Sequence, residues 1–159
     1  MGIFGIKGLK NQMKKLIKNY TTEIPLEKTI AEIQKLLSGN GATGIMFDYS
    51  ADGHLKAVFF KIQYKGKELP FKLPAKPEQV YNVLFAGKLG EYSYKEQRMA
   101  KAEMIAWRVC KLWLEAQITH INLDQAKIEE VFLPYLVVGN NKTLYENMID
   151  TGFQLTSGK

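Results

Sequence analysis

Three basic residues at a spacing of three open the longest helix-like stretch of the sequence, residues 94–117, which reads YKEQRMAKAEMIAWRVCKLWLEAQ. Lys95, Arg98 and Lys101 follow one side of a helix whose first turns are largely polar, so their charged groups can reach phosphate oxygens without disturbing a core. Arg108 continues the same polar band. The pattern supports electrostatic binding of a polyanion such as a nucleic acid, although a solvated charged face is the more common reason for such a run.

A second set of cations lies among the first 20 residues. The apolar side chains there recur at helical spacing, and the lysines fall on the neighbouring side of the wheel: Lys7, Lys10, Lys14 and Lys18. The pattern predicts a basic amphipathic helix over residues 1–19 that is separate from the body of the chain. Its apolar stripe either docks on that body or binds a nucleic acid, an anionic membrane surface or a partner protein.

This first segment holds most of the net charge of the chain, which is +6. Five of the 22 basic residues lie in the first 20 positions, where there is no acidic residue. The remaining 17 basic residues face 16 acidic ones, so the body is close to neutral. A nucleic-acid interpretation therefore depends on local clusters of cations and not on a charged body.

The residue types that most enzymes need are sparse. Two histidines, His54 and His120, and one cysteine, Cys110, show no metal-ligand spacing. The glycines of GNGATG do not lie between a strand and a following helix, and no phosphate-binding lysine motif is present. We therefore expect a protein that is not an enzyme and that uses no metal or cofactor.

The same sequence features bear on location. A single cysteine fits a reducing compartment, and no apolar run reaches the ~18 residues that a transmembrane helix needs. The N-terminal lysines are not followed by a continuous apolar stretch with a small-residue cleavage site. We expect a cytoplasmic protein without a transmembrane segment.

Hydrophobic periodicity predicts the elements that position these side chains. A narrow apolar stripe predicts a helix, with Gly39 and Gly41 ending it: Leu26, Ile30, Ile33 and Leu37. The period then changes to two over residues 44–74, with turn signals at Asp52-Gly53 and Lys65-Gly66. This predicts a three-stranded antiparallel meander, and Pro70 predicts that the third strand is an edge strand or ends early.

The remaining elements are mostly helical. The apolar residues of 94–117 cover most of a helical wheel, which predicts a long, buried central helix with a narrow polar band. Residues 123–138 predict a further helix that Pro134 bends or ends, and residues 143–150 predict a short last helix. We therefore expect an α+β fold, in which the meander packs against the long central helix and short helices surround them. It would form a single domain over residues 20–151, followed by a tail at 152–159.

Two resemblances add to this prediction. The pattern YTT…KTIAEIQKLL…GAT, followed by FKLPA, AWRVCKLWLEAQ and EEVFLPYLV…TLYE, resembles a family of short uncharacterised proteins that phages and prophages encode. It covers residues 20–146 and implies a phage-type accessory protein in the host cytoplasm, without implying a particular activity.

The second resemblance is topological. The order of helix, three antiparallel strands and helix is similar to that of a double-stranded-RNA-binding domain. DGHLKAVFFKIQYKGKE resembles the second strand and turn of that domain, and YKEQRMAK resembles the basic start of its last helix. This resemblance would give Lys95, Arg98 and Lys101 the phosphate-contacting positions. The chain departs from the domain by about twenty additional residues, 74–93, before that helix.

The sequence thus leaves two functions open. In the first, a small non-catalytic phage-type accessory protein binds DNA or RNA through the phosphate-directed residues of the long helix and the N-terminal lysines. In the second, the chain is a protein-interaction module, such as an inhibitor or adaptor of a host protein with an anti-defence role. A homodimer built on the N-terminal helix is a variant of the second.

Overall fold

The computed structural model describes residues 22–85 and 94–154, and it confirms the α+β class, the antiparallel meander, the long helix and the additional short helices. The helices and strands follow one another along the chain as α1 (Leu26–Ser38), β1 (Ala42–Tyr49), β2 (Leu55–Tyr64), β3 (Lys67–Pro74), α2 (Pro77–Phe85), α3 (Lys95–Asn122), α4 (Ile128–Phe132), a 3-10 turn (Leu133–Tyr135), β4 (Val137–Gly139), β5 (Lys142–Thr143) and α5 (Leu144–Asp150).

The described residues form two compact units. The helical unit contains residues 22–33, 75–85 and 94–114, and the sheet unit contains residues 34–74 and 115–154. The predicted single domain over residues 20–151 stays a prediction. The predicted N-terminal helix over 1–19 lies outside the described residues, as does most of the predicted tail.

The meander of the sheet unit has the strand order β1-β2-β3, and the turn chemistry explains its register. Lys65 and Gly66 have φ angles of 48° and 78°, which is the left-handed pair that a tight two-residue hairpin requires. Pro70 lies in β3, which pairs with β2 alone among the three strands, so its predicted edge position is confirmed.

Three phenylalanine rings form the centre of the sheet unit. Phe60 of β2 stacks on its cross-strand partner Phe71 of β3 at a centroid distance of 5.3 Å, and the ring of Phe132 from α4 meets Phe60 edge-on at 5.3 Å. None of the three is more than 1% exposed. Such ring pairs add about 0.5–1.5 kcal/mol to the free energy of area burial. The short α4 is therefore anchored to the sheet by one side chain.

The helix predicted over residues 123–138 begins later than expected, at Ile128, and it ends before Pro134, which is one of the two outcomes predicted for that proline. α4 ends at Phe132, and the chain continues through the 3-10 turn that contains Pro134. Proline has no backbone N–H and its ring crowds the preceding turn, so the α-helix cannot pass it. Beyond it, Val137–Gly139 pairs with Lys142–Thr143 around a turn at Asn140 and Asn141, which both have left-handed φ angles.

Many of the apolar residues of α3 are buried, but not all of them. Trp107 and Leu114 are fully buried and define the centre of the buried face, whereas Val109 is 40% exposed. Glu103 is also buried on this side, which the apolar pattern alone did not indicate. None of the helices within residues 22–85 and 94–154 combines the length and the apolar character required to cross a membrane.

Candidate functional site

An open cleft of about 500 Å³ lies in the helical unit where α3 begins. Its lining combines aromatic, basic and amide side chains: Phe85, Tyr94, Gln97, Arg98 and Lys101. Two of the cations predicted to contact phosphate therefore border one depression, together with two aromatic rings. A cleft of this size is within the range of small-molecule sites, about 300–1,000 Å³.

The aromatic wall of the cleft comes from the end of α2. Leu84 is 7% exposed and anchors the helix, which leaves the following residue, Phe85, at the cleft. The ring of Tyr81, one helical turn earlier, supports that of Phe85 at a centroid distance of 5.5 Å. The guanidinium carbon of Arg98 lies 5.8 Å from the Phe85 centroid, within the range of a cation–π contact.

The first turn of α3 presents polar groups to solvent. Tyr94 is 50% exposed, and Lys95 is exposed as well. Arg98 is half-buried because its guanidinium lies against Phe85. The cations at this end of the helix therefore lie at an accessible surface, as the sequence pattern predicts.

Lys101 has a different environment, although it also borders the cleft. Its ammonium forms an ion pair with Glu23 at 2.8 Å and donates a hydrogen bond to the backbone carbonyl of Thr22. Its side chain is 25% exposed, whereas that of Glu23 is 89% exposed. Lys101 thus links α3 to the segment that leads into α1, and this fixes the position of one wall of the cleft.

Arg108 lies deeper in the same unit. Its guanidinium donates a hydrogen bond to Oε2 of Glu32 on α1, and the ammonium of Lys111 lies 3.8 Å from the same oxygen. The side chains of Arg108 and Lys111 are only 12% and 13% exposed. These two cations and Glu32 form an ion-pair cluster, which we call the α1–α3 ion cluster.

The basic neighbours in this cluster lower the pKa of Glu32. Burial pushes the pKa of Glu32 upward, but the hydrogen bond from Arg108 and the charges of Arg108, Lys111 and Lys28 more than offset this, so the pKa lies below its usual value. Glu32 is therefore ionised near neutral pH, and it balances part of the charge of its basic neighbours. The role of Arg108 as a phosphate contact stays a prediction, beside this observed ion pair.

The other predicted site residues, Lys7, Lys10, Lys14 and Lys18, lie outside the described residues. Among the described residues, no group of three or more histidine, cysteine and acidic side chains is arranged to hold a metal ion. Burial raises the pKa of the Cys110 thiol to about 11, so the thiol is protonated near neutral pH and is a poor nucleophile.

A second cleft of about 420 Å³ runs along β1 in the sheet unit. It includes Met46 and Phe59, and its lysine, Lys61, forms an ion pair with Glu68 of β3 at 3.6 Å. Both partners of that pair line the same cleft, so its charges largely balance. The cleft at the start of α3 is the better candidate for an anionic ligand.

Sequence reasoning missed the aromatic residues of the cleft and the acidic partners of α3. Phe85 was an apolar residue near the end of a predicted short helix, and Tyr94 was the first residue of the helix-like stretch 94–117, so neither was expected to line a cleft. The spacing of the acidic residues was a signal for this pairing. Glu23 and Glu32 are nine residues apart, whereas Lys101 is seven residues from Arg108 and ten from Lys111. Parallel helices with such spacings can match their charges turn by turn.

Comparison of the chain with models of known families, with curated proteins and with solved structures gave no match.

Proposed function

We propose that this protein is a small non-catalytic accessory protein that binds nucleic acid at the cleft of the helical unit. Arg98 and Lys95 would contact phosphates, and Lys101 would hold the wall of the site and add its charge to it. The observation that carries the proposal is the presence of two cations and two aromatic rings in one open cleft of about 500 Å³.

The chemistry of the lining favours a nucleic acid over a simple anion. Guanidinium and ammonium groups neutralise phosphates and release condensed counterions, which supplies most of the non-specific affinity. Aromatic rings stack with nucleic-acid bases, and an inorganic anion or an acidic peptide has no bases to stack on them. Phe85 and Tyr94 would supply this stacking surface beside Arg98.

The proposal places the site at one end of α3. Arg108 is 12% exposed and paired with Glu32, so phosphate would have to compete with a carboxylate that already holds the guanidinium. The N-terminal lysines Lys7, Lys10, Lys14 and Lys18 would add affinity without base preference, in the manner of a basic arm. Replacing these four lysines with glutamine in the full chain measures that separate contribution.

Fluorescence anisotropy of labelled DNA and RNA, titrated with the full chain at two salt concentrations, tests the proposal. We expect binding at low salt that weakens as salt increases, with a log–log slope of about −0.7 per phosphate on single strands and about −0.9 on duplex DNA. Arg98→Met should weaken binding by about ten-fold at low salt. Lys127→Gln is the matched control, because Lys127 is an exposed lysine of the sheet unit. Absence of binding to any nucleic acid at low salt would reject the proposal.

A second candidate function is the protein-interaction module, and exposed apolar side chains on α5 favour it. Tyr145 and Ile149 are one helical turn apart and are 51% and 50% exposed, and the ring of Phe153 lies 6.2 Å from that of Tyr145. Exposed apolar groups that lie together are typical of contact surfaces for other proteins. A host inhibitor or adaptor would use such a surface.

Affinity capture from host lysate, with and without nuclease, separates the two candidates when it is paired with a variant. A protein that stays bound after nuclease treatment and is lost with the double variant Tyr145→Ser, Ile149→Ser would support the interaction module. The same variant should leave nucleic-acid binding unchanged, because the cleft belongs to the helical unit. Light scattering on the full chain tests the homodimer that would be built on the N-terminal helix.

A further inference from the structure

We infer that the cleft accepts an unpaired base, so that the nucleic acid it prefers is single-stranded. This inference rests on the proposed function and specifies its substrate class. The feature that carries it is the placement of Phe85 and Tyr94 in the same cleft as Arg98, at the surface and not in a core.

The aromatic rings are positioned for stacking. Tyr94 is 50% exposed, directly precedes α3 and lines the cleft. Phe85 is held by the ring of Tyr81, which lies 5.5 Å away, and carries the Arg98 guanidinium on its surface. A planar guanidinium beside an aromatic ring is the type of surface on which extruded bases stack.

A double helix would leave these rings unused. Bases within a duplex are stacked on both faces, so a protein reaches them only at their edges in the grooves or after flipping them out. Flipping a base costs a few kcal/mol of pairing and stacking free energy, and a single strand avoids most of this cost. The volume of about 500 Å³ is within the range of sites for small molecules, so it can accept a group of nucleotide size.

Gln97 gives the site a neutral hydrogen-bonding group. It is exposed on the first turns of α3 and lines the cleft with the aromatic residues. A glutamine amide both donates and accepts, so it can pair with the edge of any base. This composition favours stacking with weak base preference over the reading of a defined sequence.

The test compares three probes with the full chain: a short labelled single strand, the duplex of the same sequence, and the same single strand with its bases removed at internal positions. We expect the intact single strand to bind about ten-fold more tightly than either of the others at equal salt. RNA and DNA versions of the single strand show which sugar the site prefers, and neither result changes the assignment to unpaired bases.

A pair of variants then localises the effect. Tyr94→Ala should weaken binding to the intact single strand by about ten-fold, and Tyr94→Phe should retain binding because the ring is kept. Neither change should alter binding to inorganic polyphosphate, which tests the cations alone. Tyr94 is half-exposed, so both variants are expected to fold, and Phe85→Leu gives an independent removal of a ring.

The outcomes of the inference and of the proposed function are distinct. Equal affinity for the intact strand, the abasic strand and the duplex would overturn the inference and leave phosphate-directed binding in place. Retention of single-strand binding by both Tyr94→Ala and Phe85→Leu would overturn it as well. Absence of binding to all probes and to polyphosphate would reject the proposed function itself.

Discussion

Two groups of cations on the same helix have different surroundings. Lys95 and Arg98 lie at the start of α3, where Lys95 is exposed and the half-buried Arg98 has its guanidinium carbon 5.8 Å from the centroid of the Phe85 ring. Arg108 and Lys111 lie further along, and both face the carboxylate of Glu32. We propose that the first group binds a partner, whereas the second group joins α3 to α1 through Glu32. Residue type and helical spacing are nearly the same in the two groups, so the difference comes from the facing element.

The physical reason is the competition between a carboxylate of the same chain and a phosphate from outside. A protein carboxylate that is already positioned and partly buried meets its cation at high effective concentration, and desolvation of the pair strengthens the attraction. A phosphate must then displace that partner and leave it unpaired. Lys101 is intermediate, because its partner Glu23 is 89% exposed and readily solvated.

The largest expected effect on stability is that of Arg108→Met. The change leaves Glu32 with Lys111 as its remaining close cation, and it should lower the free energy of unfolding by about 2 kcal/mol. Arg98→Met is the comparison variant and should lower the free energy of unfolding less, by about 0.5–1 kcal/mol, because Arg98 is half-buried and the change removes its contact with the Phe85 ring. Urea unfolding of the three proteins measures both values. Equal loss in the two variants would show that the distinction between the groups is wrong.

A smaller effect is expected for Glu32→Gln, which keeps the shape of the side chain and removes its charge. The folded-state pKa of Glu32 is depressed, so its charge stabilises the fold at pH values above the unfolded pKa of about 4.3. We expect a loss of about 1 kcal/mol at pH 7, discounted for partial exposure.

This difference between wild type and Glu32→Gln should disappear as the pH falls through the folded pKa of Glu32, because the wild-type carboxyl is then protonated too. Unfolding midpoints measured between neutral pH and about pH 3 test the sign. A stability difference that is constant over this range would mean that the charge of Glu32 does not stabilise the fold.

Some of these features could be predicted from the sequence and others could not. The meander followed from the period of two and from Lys65-Gly66, because a left-handed pair at a hairpin turn is a local property of two residues. The basic start of α3 was equally local. Glu32 as the partner of Arg108 is a tertiary contact, and a helical wheel of α3 does not contain it.

The aromatic cleft and the buried face of α3 could not be predicted from the sequence, because both depend on tertiary contacts. Phe85 and Tyr94 are nine residues apart and belong to different elements, so their common cleft depends on how α2 and α3 meet. Val109 looked like a core residue and is 40% exposed, because several wide sectors of an apolar helix are possible buried faces. Packing partners choose among such sectors, and periodicity does not identify them.

Lys95→Gln should give a modest effect on binding and almost none on stability. Lys95 is exposed at the first position of α3, so its loss removes at most one phosphate contact. We expect the magnitude of the salt slope to fall by about 0.7 on a single strand, with the melting temperature unchanged. Anisotropy titrations over a series of salt concentrations measure the slope. An unchanged slope would remove Lys95 from the site.

The smallest expected effect is on the reaction rate of the Cys110 thiol. Cys110 is not mutated in this test, and its reactivity reports how often α3 opens. With a pKa of about 11, on the order of one thiol in a thousand is ionised at pH 8, so a disulfide reagent should react slowly with the folded chain. The rate should be higher in Arg108→Met than in Arg98→Met, because the more strongly weakened fold opens more often. A fast reaction in the wild type would contradict the burial of this thiol.

Binding of a labelled single strand to Arg98→Met and Arg108→Met, both measured at low salt and at a temperature where each is folded, tests the central distinction most directly. We predict that Arg98→Met binds about ten-fold more weakly than the wild type, while Arg108→Met binds with nearly wild-type affinity despite its lower stability. An equal loss of affinity in both variants, or a larger loss in Arg108→Met, would contradict the assignment of binding to the start of α3 and of structural support to its middle.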